Sequence, residues 1–252
     1  MEPRPRQIVA FGGGGFSMEA GNPLLDEYVR SLSSRKRPKV CFLPTASGDA
    51  DHYIVRFYRH FSPAFCEPSH ISLFRRDHGP PCLRTHLLQQ DLIYVGGGSV
   101  ISLLGVWRAH GLDEVIAEAW EAGVILCGLS AGSLCWFAEG VTAFHGPPER
   151  IEGLGLLPHS NAVHYVDEPG RKESYRAAIA DGMVGGYAAE DGSALHFVGE
   201  DLARVVSSRP NAGAHRVEFV DGEVIETRLE ADYLGGTVSS LAPSEAGAAL
   251  AA

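Results

Sequence analysis

Ser130 stands in Gly128-Leu-Ser-Ala-Gly132, between the β-prone run Val124 to Cys127 and a helix-like segment that reaches Phe137. A serine in a sharp strand-to-helix turn has backbone pressed close on either side, so the flanking positions must be glycine. The spacing therefore predicts a nucleophile elbow. Its Oγ would stand exposed at the start of a helix, with the Ala131 N–H and the positive helix end beside the carbonyl under attack. A second loop, Gly96-Gly-Gly-Ser99, follows the apolar run Leu92 to Val95. Glycines let amides approach a ligand, so Gly97 or Gly98 is expected to supply a second oxyanion donor beside Ala131. No Gly-Lys-Ser/Thr follows, which argues against a phosphate loop. A third run, Gly12 to Gly15, is a weak match to a dinucleotide fingerprint, because Phe16 to Gly21 intervene before a helix begins at Asn22. The serine needs a base, and eleven histidines leave the choice open by spacing alone.

The elements that must position these loops are legible as period and punctuation. Apolar runs at Ile8 to Phe11, Val40 to Leu43, Ile71 to Phe74, Leu92 to Val95 and Val124 to Cys127 alternate with helix-like segments, the pattern of a parallel sheet with helices on both faces. Catalytic groups then gather beyond the carboxyl ends of the strands, where both glycine loops fall. Asn22 caps a helix whose Leu24, Leu25, Tyr28, Val29 and Leu32 share a face; similar stripes cover Tyr53 to Phe61, Val100 to Trp107 and Leu112 to Trp120. After about residue 185 the chain turns β-rich: Ala194 to Val198, Ala203 to Ser207 and Val217 to Val220 read as strands, and Asp221-Gly222 turns into Glu223 to Thr227. This stretch is expected to extend or edge the main sheet. A single hydrolytic domain over residues 1–236 is expected, with a disordered tail over 237–252, rich in Ala, Ser and Gly.

A net charge of −10 and the lack of any Lys/Arg block argue against a nucleic-acid partner. The five cysteines form no C-x-x-C pair and sit largely in apolar runs, as reduced thiols of a cytoplasmic protein would. The N-terminal apolar run is too short for a signal-peptide core, and no stretch approaches a membrane span. His159 and His164 are five apart, not a helix-face ligand pair, and no cluster calls for a metal or other cofactor.

Four motifs occur in order: Phe42-Leu-Pro-Thr-Ala-Ser-Gly-Asp49, Val95-Gly-Gly-Gly98, Trp107-Arg-Ala-His-Gly-Leu-Asp113 and Gly128-Leu-Ser-Ala-Gly-Ser-Leu-Cys-Trp-Phe137. Together they resemble the peptidase E family, aspartyl dipeptidases related to cyanophycinases, from about Ile8 to Gly235. The resemblance implies an α/β, flavodoxin-like three-layer sandwich of the class I glutamine amidotransferase type, with a mainly parallel sheet and, here, a β-rich C-terminal extension. It implies a serine exopeptidase acting on short peptides, dipeptides with N-terminal aspartate in particular, as a monomer or homodimer. The implied triad runs Ser130, then His164 within Leu156-Leu-Pro-His-Ser-Asn-Ala-Val-His-Tyr165, then Asp191 within Glu190-Asp-Gly-Ser-Ala-Leu195. His159 and Glu190 are the competitors for base and acid. The resemblance also implies a cation for the substrate carboxylate a few residues beyond the histidine, where Arg171 and Arg176 suit it better than Lys172.

The chain departs from the family pattern in two places. Ser99 and Val100 replace an asparagine and a threonine, and either could shape the pocket for the substrate's amino terminus. Ala143-Phe-His145 stands where an aspartate is usual. These departures motivate a rival reading, a catalytically silent relative that binds an amino acid or peptide. Other rivals are a cyanophycinase-like hydrolase and an esterase whose acid, Asp181 or Asp191, precedes its histidine, His196 or His215.

Overall fold

Strands β1 (Gln7–Phe11), β2 (Lys39–Leu43), β3 (Glu67–His70), β4 (Leu92–Val95) and β5 (Ile125–Leu129) are separated by helices α1 (Gly15–Met18), α2 (Leu24–Ser31), α3 (Asp51–His60), α4 (Leu83–Leu88), α5 (Val100–His110) and α6 (Leu112–Glu121). After β5 come the one-turn helix α7 (Ala131–Leu134), strands β6 (Phe137–Thr142), β7 (Glu149–Glu152) and β8 (Leu157–Ala162), and helix α8 (Arg171–Ala180). Strands β9 (Gly186–Ala189), β10 (Ser193–Val198), β11 (Asp201–Ser207), β12 (Ala214–Val220), β13 (Glu223–Leu229) and β14 (Asp232–Tyr233) complete the fold. The computed structural model describes residues 4–75 and 79–236; the tail expected from Thr237 onward lies outside the described residues.

The main sheet has eight strands in the order β14-β11-β10-β1-β5-β4-β2-β3. From β1 to β3 every pairing is parallel, and β10 joins β1 antiparallel. The inner parallel strands β1, β5, β4 and β2 are covered on both faces, which explains their apolar runs. Ile8, Ala10, Ile93, Val95 and Leu126 pack on one side with Trp107, Ile116 and Trp136. Their alternates Val9, Phe11, Leu92, Tyr94 and Cys127 pack on the other with Phe16, Tyr53 and Phe57. Each such fully buried aliphatic or aromatic side chain contributes roughly 1.5–3 kcal/mol, so the strand ends that carry the loops are firmly anchored.

Three expectations change. The run Ile71 to Phe74 is not a strand; the edge strand lies four residues earlier, at β3. Pro68 hides β3 from a propensity reading, and an edge position is where a strand tolerates proline. Beyond it the Asp49 carboxylate accepts the Leu73 and Phe74 amides at 2.6 and 2.9 Å and draws the chain off the sheet. The β-rich part does more than edge the main sheet. Strands β10, β11 and β14 extend it, while β13-β12-β9-β8-β6-β7 form a second, six-stranded sheet that begins at Phe137. Polar β7 and Pro158 in β8 gave no strand signal. The helix after the elbow is one turn long, so it adds little dipole to the site.

Candidate active site

Ser130 links β5 to α7 with φ 53° and ψ −115°, a backbone state that costs roughly 1–3 kcal/mol and persists only where the surroundings enforce it. The enforcement is visible. A Cβ on Gly128 would lie 2.4 Å from the Gly132 carbonyl oxygen, and one on Gly132 would lie 2.3 Å from that of Val95 in β4. The Ser130 amide donates to the Phe11 carbonyl of β1 at 3.3 Å. Behind the elbow, the buried Asn161 amide of β8 donates to Ser133 Oγ at 2.9 Å, tying α7 to the second sheet.

That strand leads to His164, whose φ of 55° is also positive. Its Nε2 lies 3.1 Å from Ser130 Oγ, and its Nδ1 lies 2.5 Å from Asp191 Oδ1. Both side chains are nearly buried. Asp191 sits in the loop between β9 and β10, and its amide donates to Asp167 Oδ2 at 2.8 Å. Asp167 belongs to the turn that follows the histidine, since its own amide donates to the His164 carbonyl. The competitors stand elsewhere. His159 packs edge-on against Tyr187 at 5.2 Å, and Glu190 faces away to His215 and Arg228.

The first glycine run has a role that its sequence did not disclose. The His164 amide donates to the Gly12 carbonyl, and the Gly192 amide to that of Gly13. A Cβ on Gly13 would fall 2.1 Å from Asp191 Oδ1 and 2.9 Å from His164 Cε1. Gly13 is bare because the histidine and carboxylate lie on it, and Gly12 because the Ala189 and Glu190 backbone does. The partners are more than 150 residues away in the chain, and only the bare glycines hinted at a close approach.

Gly98 lines the cavity in front of Ser130 and Ala131. The Gly97 amide is taken by the Tyr53 hydroxyl at 3.2 Å, whereas the Gly98 amide has no acceptor among the described residues. Burial pushes the Tyr53 phenol up, which keeps it neutral in that contact. The Ala131 amide, first in its helix, has no intrahelical acceptor. Two of the sequence motifs brace this loop. A Cβ on Gly98 would lie 2.2 Å from the Ala46 carbonyl oxygen, and the Trp107 indole donates to Thr45 Oγ1 at 3.1 Å.

The cavity is an open cleft with room for about 70 Å³, and Thr142, Phe144, Glu168 and Arg171 are among the residues on its wall. Arg171 is 6% exposed; its guanidinium donates to the Val141 carbonyl at 3.3 Å and to the Glu168 carboxylate. Arg176 is not brought to the cavity. It points from the other side of α8 to Glu226 and the Val224 carbonyl. Ser99 is buried; its hydroxyl caps α5 at Ser102 and lies 2.6 Å from His145 Nε2, so the two departures from the family pattern contact each other. The histidines of the esterase scheme are also remote. His196 meets Tyr28 and Gln7, and burial, reinforced by the Arg204 charge, lowers it to about 4. His215 is held between Glu190 and Glu226.

Comparison with known proteins places the chain in a family. Peptidase family S51 matches residues 8–205. An uncharacterized peptidase, YgaJ of Bacillus subtilis, is 47% identical over 233 residues, 91% of this chain and 100% of that one. Peptidase E of Streptomyces coelicolor is 28% identical over 173 residues, 64% of this chain and 69% of that one. A crystal structure of a peptidase from an acI-B1 Actinobacterium superposes with a TM-score of 0.67 at 19% identity, covering 91% of this chain and 96% of that one. A putative peptidase E from Listeria monocytogenes gives 0.58 at 18% identity, covering 90% and 100%. These two show the shared fold. The family match contains the elbow, the histidine and the acid loop, and with a peptidase nearly half identical along its entire length, this chain belongs to peptidase family S51.

Proposed function

We propose that this peptidase is a serine exopeptidase that cleaves short peptides, dipeptides with N-terminal aspartate foremost, through an acyl-enzyme. The observation that carries the reading is the continuous relay from Ser130 Oγ to His164 Nε2 at 3.1 Å and from His164 Nδ1 to Asp191 at 2.5 Å. Ser130 attacks the scissile carbonyl carbon while His164 takes its proton; Asp191 holds the ring tautomer and stabilises the imidazolium. The amides of Ala131 and Gly98 receive the oxyanion, one such donor being worth roughly 3 kcal/mol. Collapse of the intermediate breaks the C–N bond, and His164 returns the proton to the leaving amine. Water then enters by the same route, releases the acid and restores Ser130.

Two features support the substrate class. The cavity before Ser130 is small and shares its wall with His164, Gly98 and Arg171, which suits a short substrate. Arg171 is the cation on its wall, and Glu168, at 48% side-chain exposure, is free to yield the guanidinium to a substrate carboxylate. Hydrolysis of Asp-Leu, Ala-Leu and a β-aspartyl dipeptide by the parent and by Ser130→Ala tests the reading. Loss of Ser130 is expected to lower turnover by about six orders of magnitude when the three groups act as a unit. Equal rates for the two proteins would overturn the mechanism. A parent that leaves a fluorophosphonate probe unreacted would favour a silent peptide-binding protein.

A further inference from the structure

His215 of β12 sits 8% exposed between two carboxylates, with Nε2 3.0 Å from Glu190 Oε1 and Nδ1 3.0 Å from Glu226 Oε1. Both ring nitrogens face carboxylate oxygens, so the ring bridges the two acids. The two carboxylates are well held. Glu190 also receives Arg228 at 2.9 Å and the Gly213 amide at 3.0 Å. Glu226 receives Lys172 at 2.7 Å, Arg176 at 3.2 Å and the Tyr165 hydroxyl at 3.2 Å. Burial raises Glu226, but Lys172, His215 and Tyr165 outweigh it and hold the carboxyl below its ordinary value, hence charged. Tyr165 is fully buried and leans its ring on His215, with centroids 5.0 Å apart.

The neighbours along the chain give this cluster its meaning. Glu190 immediately precedes Asp191, and Tyr165 immediately follows His164. The Tyr165 amide donates to the Ala189 carbonyl at 3.2 Å, so the histidine and acid segments already touch at this point. We propose that His215 is a positioning residue, a buried ring that bridges Glu190 and Glu226 and packs on Tyr165, clamping the residue before the acid and the residue after the base, and so keeps the His164–Asp191 bond formed. The proposal rests on the serine-peptidase reading only for its kinetic consequence. The clamp reaches the two segments from behind and touches neither Ser130 nor the cavity, so its loss acts on turnover and leaves substrate binding alone.

His215→Gln keeps a donor and much of the size but removes the ring that spans the two carboxylates and packs on Tyr165. The expected result is a fall in kcat of up to about 100-fold, the order that a 1 Å misplacement of a catalytic group costs, with KM within about twofold of the parent. Fluorophosphonate labelling of Ser130 should slow by a similar factor. Independently of any substrate, the far-downfield proton expected of the short His164–Asp191 bond should broaden or shift in the variant's NMR spectrum. Glu226→Gln, which loosens the clamp from its other side, should reproduce both effects and serves if His215→Gln fails to fold. A lowered melting temperature with unchanged kcat, labelling rate and downfield proton would make the cluster purely structural and overturn the proposal. A parent that resists the fluorophosphonate while its downfield proton still responds to both substitutions would sink the nucleophile and keep the clamp.

Discussion

Gly13→Ala is a substitution of one methyl group that should disable the site while leaving every named catalytic residue in the chain. The added carbon would fall 2.1 Å from Asp191 Oδ1 and 2.9 Å from both Asp191 Cγ and His164 Cε1. Ordinary contact begins near 3.4 Å, so the carboxylate must retreat by about 1 Å and the 2.5 Å bond to His164 must lengthen or break. Gly13 is not among the glycines with positive φ, so backbone strain adds nothing and the effect is one of contact. Overpacking of this kind costs roughly 1–3 kcal/mol in stability, which a fold of this size survives. A displacement of about 1 Å in the catalytic geometry costs on the order of 100-fold in turnover. The assay is the rate of fluorophosphonate labelling at Ser130, followed by mass spectrometry alongside a thermal melt. Gly13→Ala labelled at the parental rate, in a folded protein, would refute the argument that position 13 is bare to admit the histidine and acid.

Three further outcomes are expected. Arg171→Ala should raise KM for Asp-Leu at least tenfold more than for Ala-Leu, since a charge-assisted bidentate contact is worth about 1.5–3 kcal/mol, whereas Arg176→Ala should leave the ratio of the two substrates unchanged. Trp107→Phe removes the indole donor and leaves Thr45 Oγ1 buried without it; a loss of roughly 1–3 kcal/mol should lower the melting temperature by at least about 2 °C, with slower labelling of Ser130 as the Gly98 loop loosens. His196 is lowered by burial, then by the Arg204 charge, to about 4. Below its unfolded value of about 6.5 the unfolded chain therefore takes up a proton that the folded one refuses. Stability should fall as pH drops from about 6.5 to 4, and denaturant melts of His196→Gln should show a shallower slope in that window by up to one proton.

The elbow was legible because its constraint is local: both glycines are required within two residues of the serine, by the strand–turn–helix geometry itself. Strands β1, β2, β4 and β5 were legible because burial on both faces leaves a continuous apolar run. Of the second sheet only the β12–β13 hairpin was legible, through its Asp221-Gly222 turn; β6, β7 and β8 were not, since they carry polar residues, Gly140 and Pro158, and are defined by partners far along the chain. Glu190 and Asp191 could not be separated by spacing, because adjacent residues in one loop differ only in the direction they face. Arg171 and Arg176 could have been separated. Five helical residues turn the side chain by about 500°, or some 140° net, so the two could not serve one pocket. The close approach at Gly13 was written in the sequence only as bare glycine, with nothing local to say what it approached.

The His164–Asp191 pair rests on a loop beside β1, the first strand of the chain, while the acid precedes β10, which pairs with that same strand antiparallel. The order of synthesis therefore matters. A chain still on the ribosome that has emerged only through residue 180 carries the proposed nucleophile and base, but β1 has an open flank and no carboxylate stands behind the imidazole. The catalytic apparatus closes only when one of the later strands docks against the earliest, a long-range and hence slow pairing. On the proposed relay, a half-made copy is thereby a protein without a working blade, and hydrolytic competence arrives together with the finished fold.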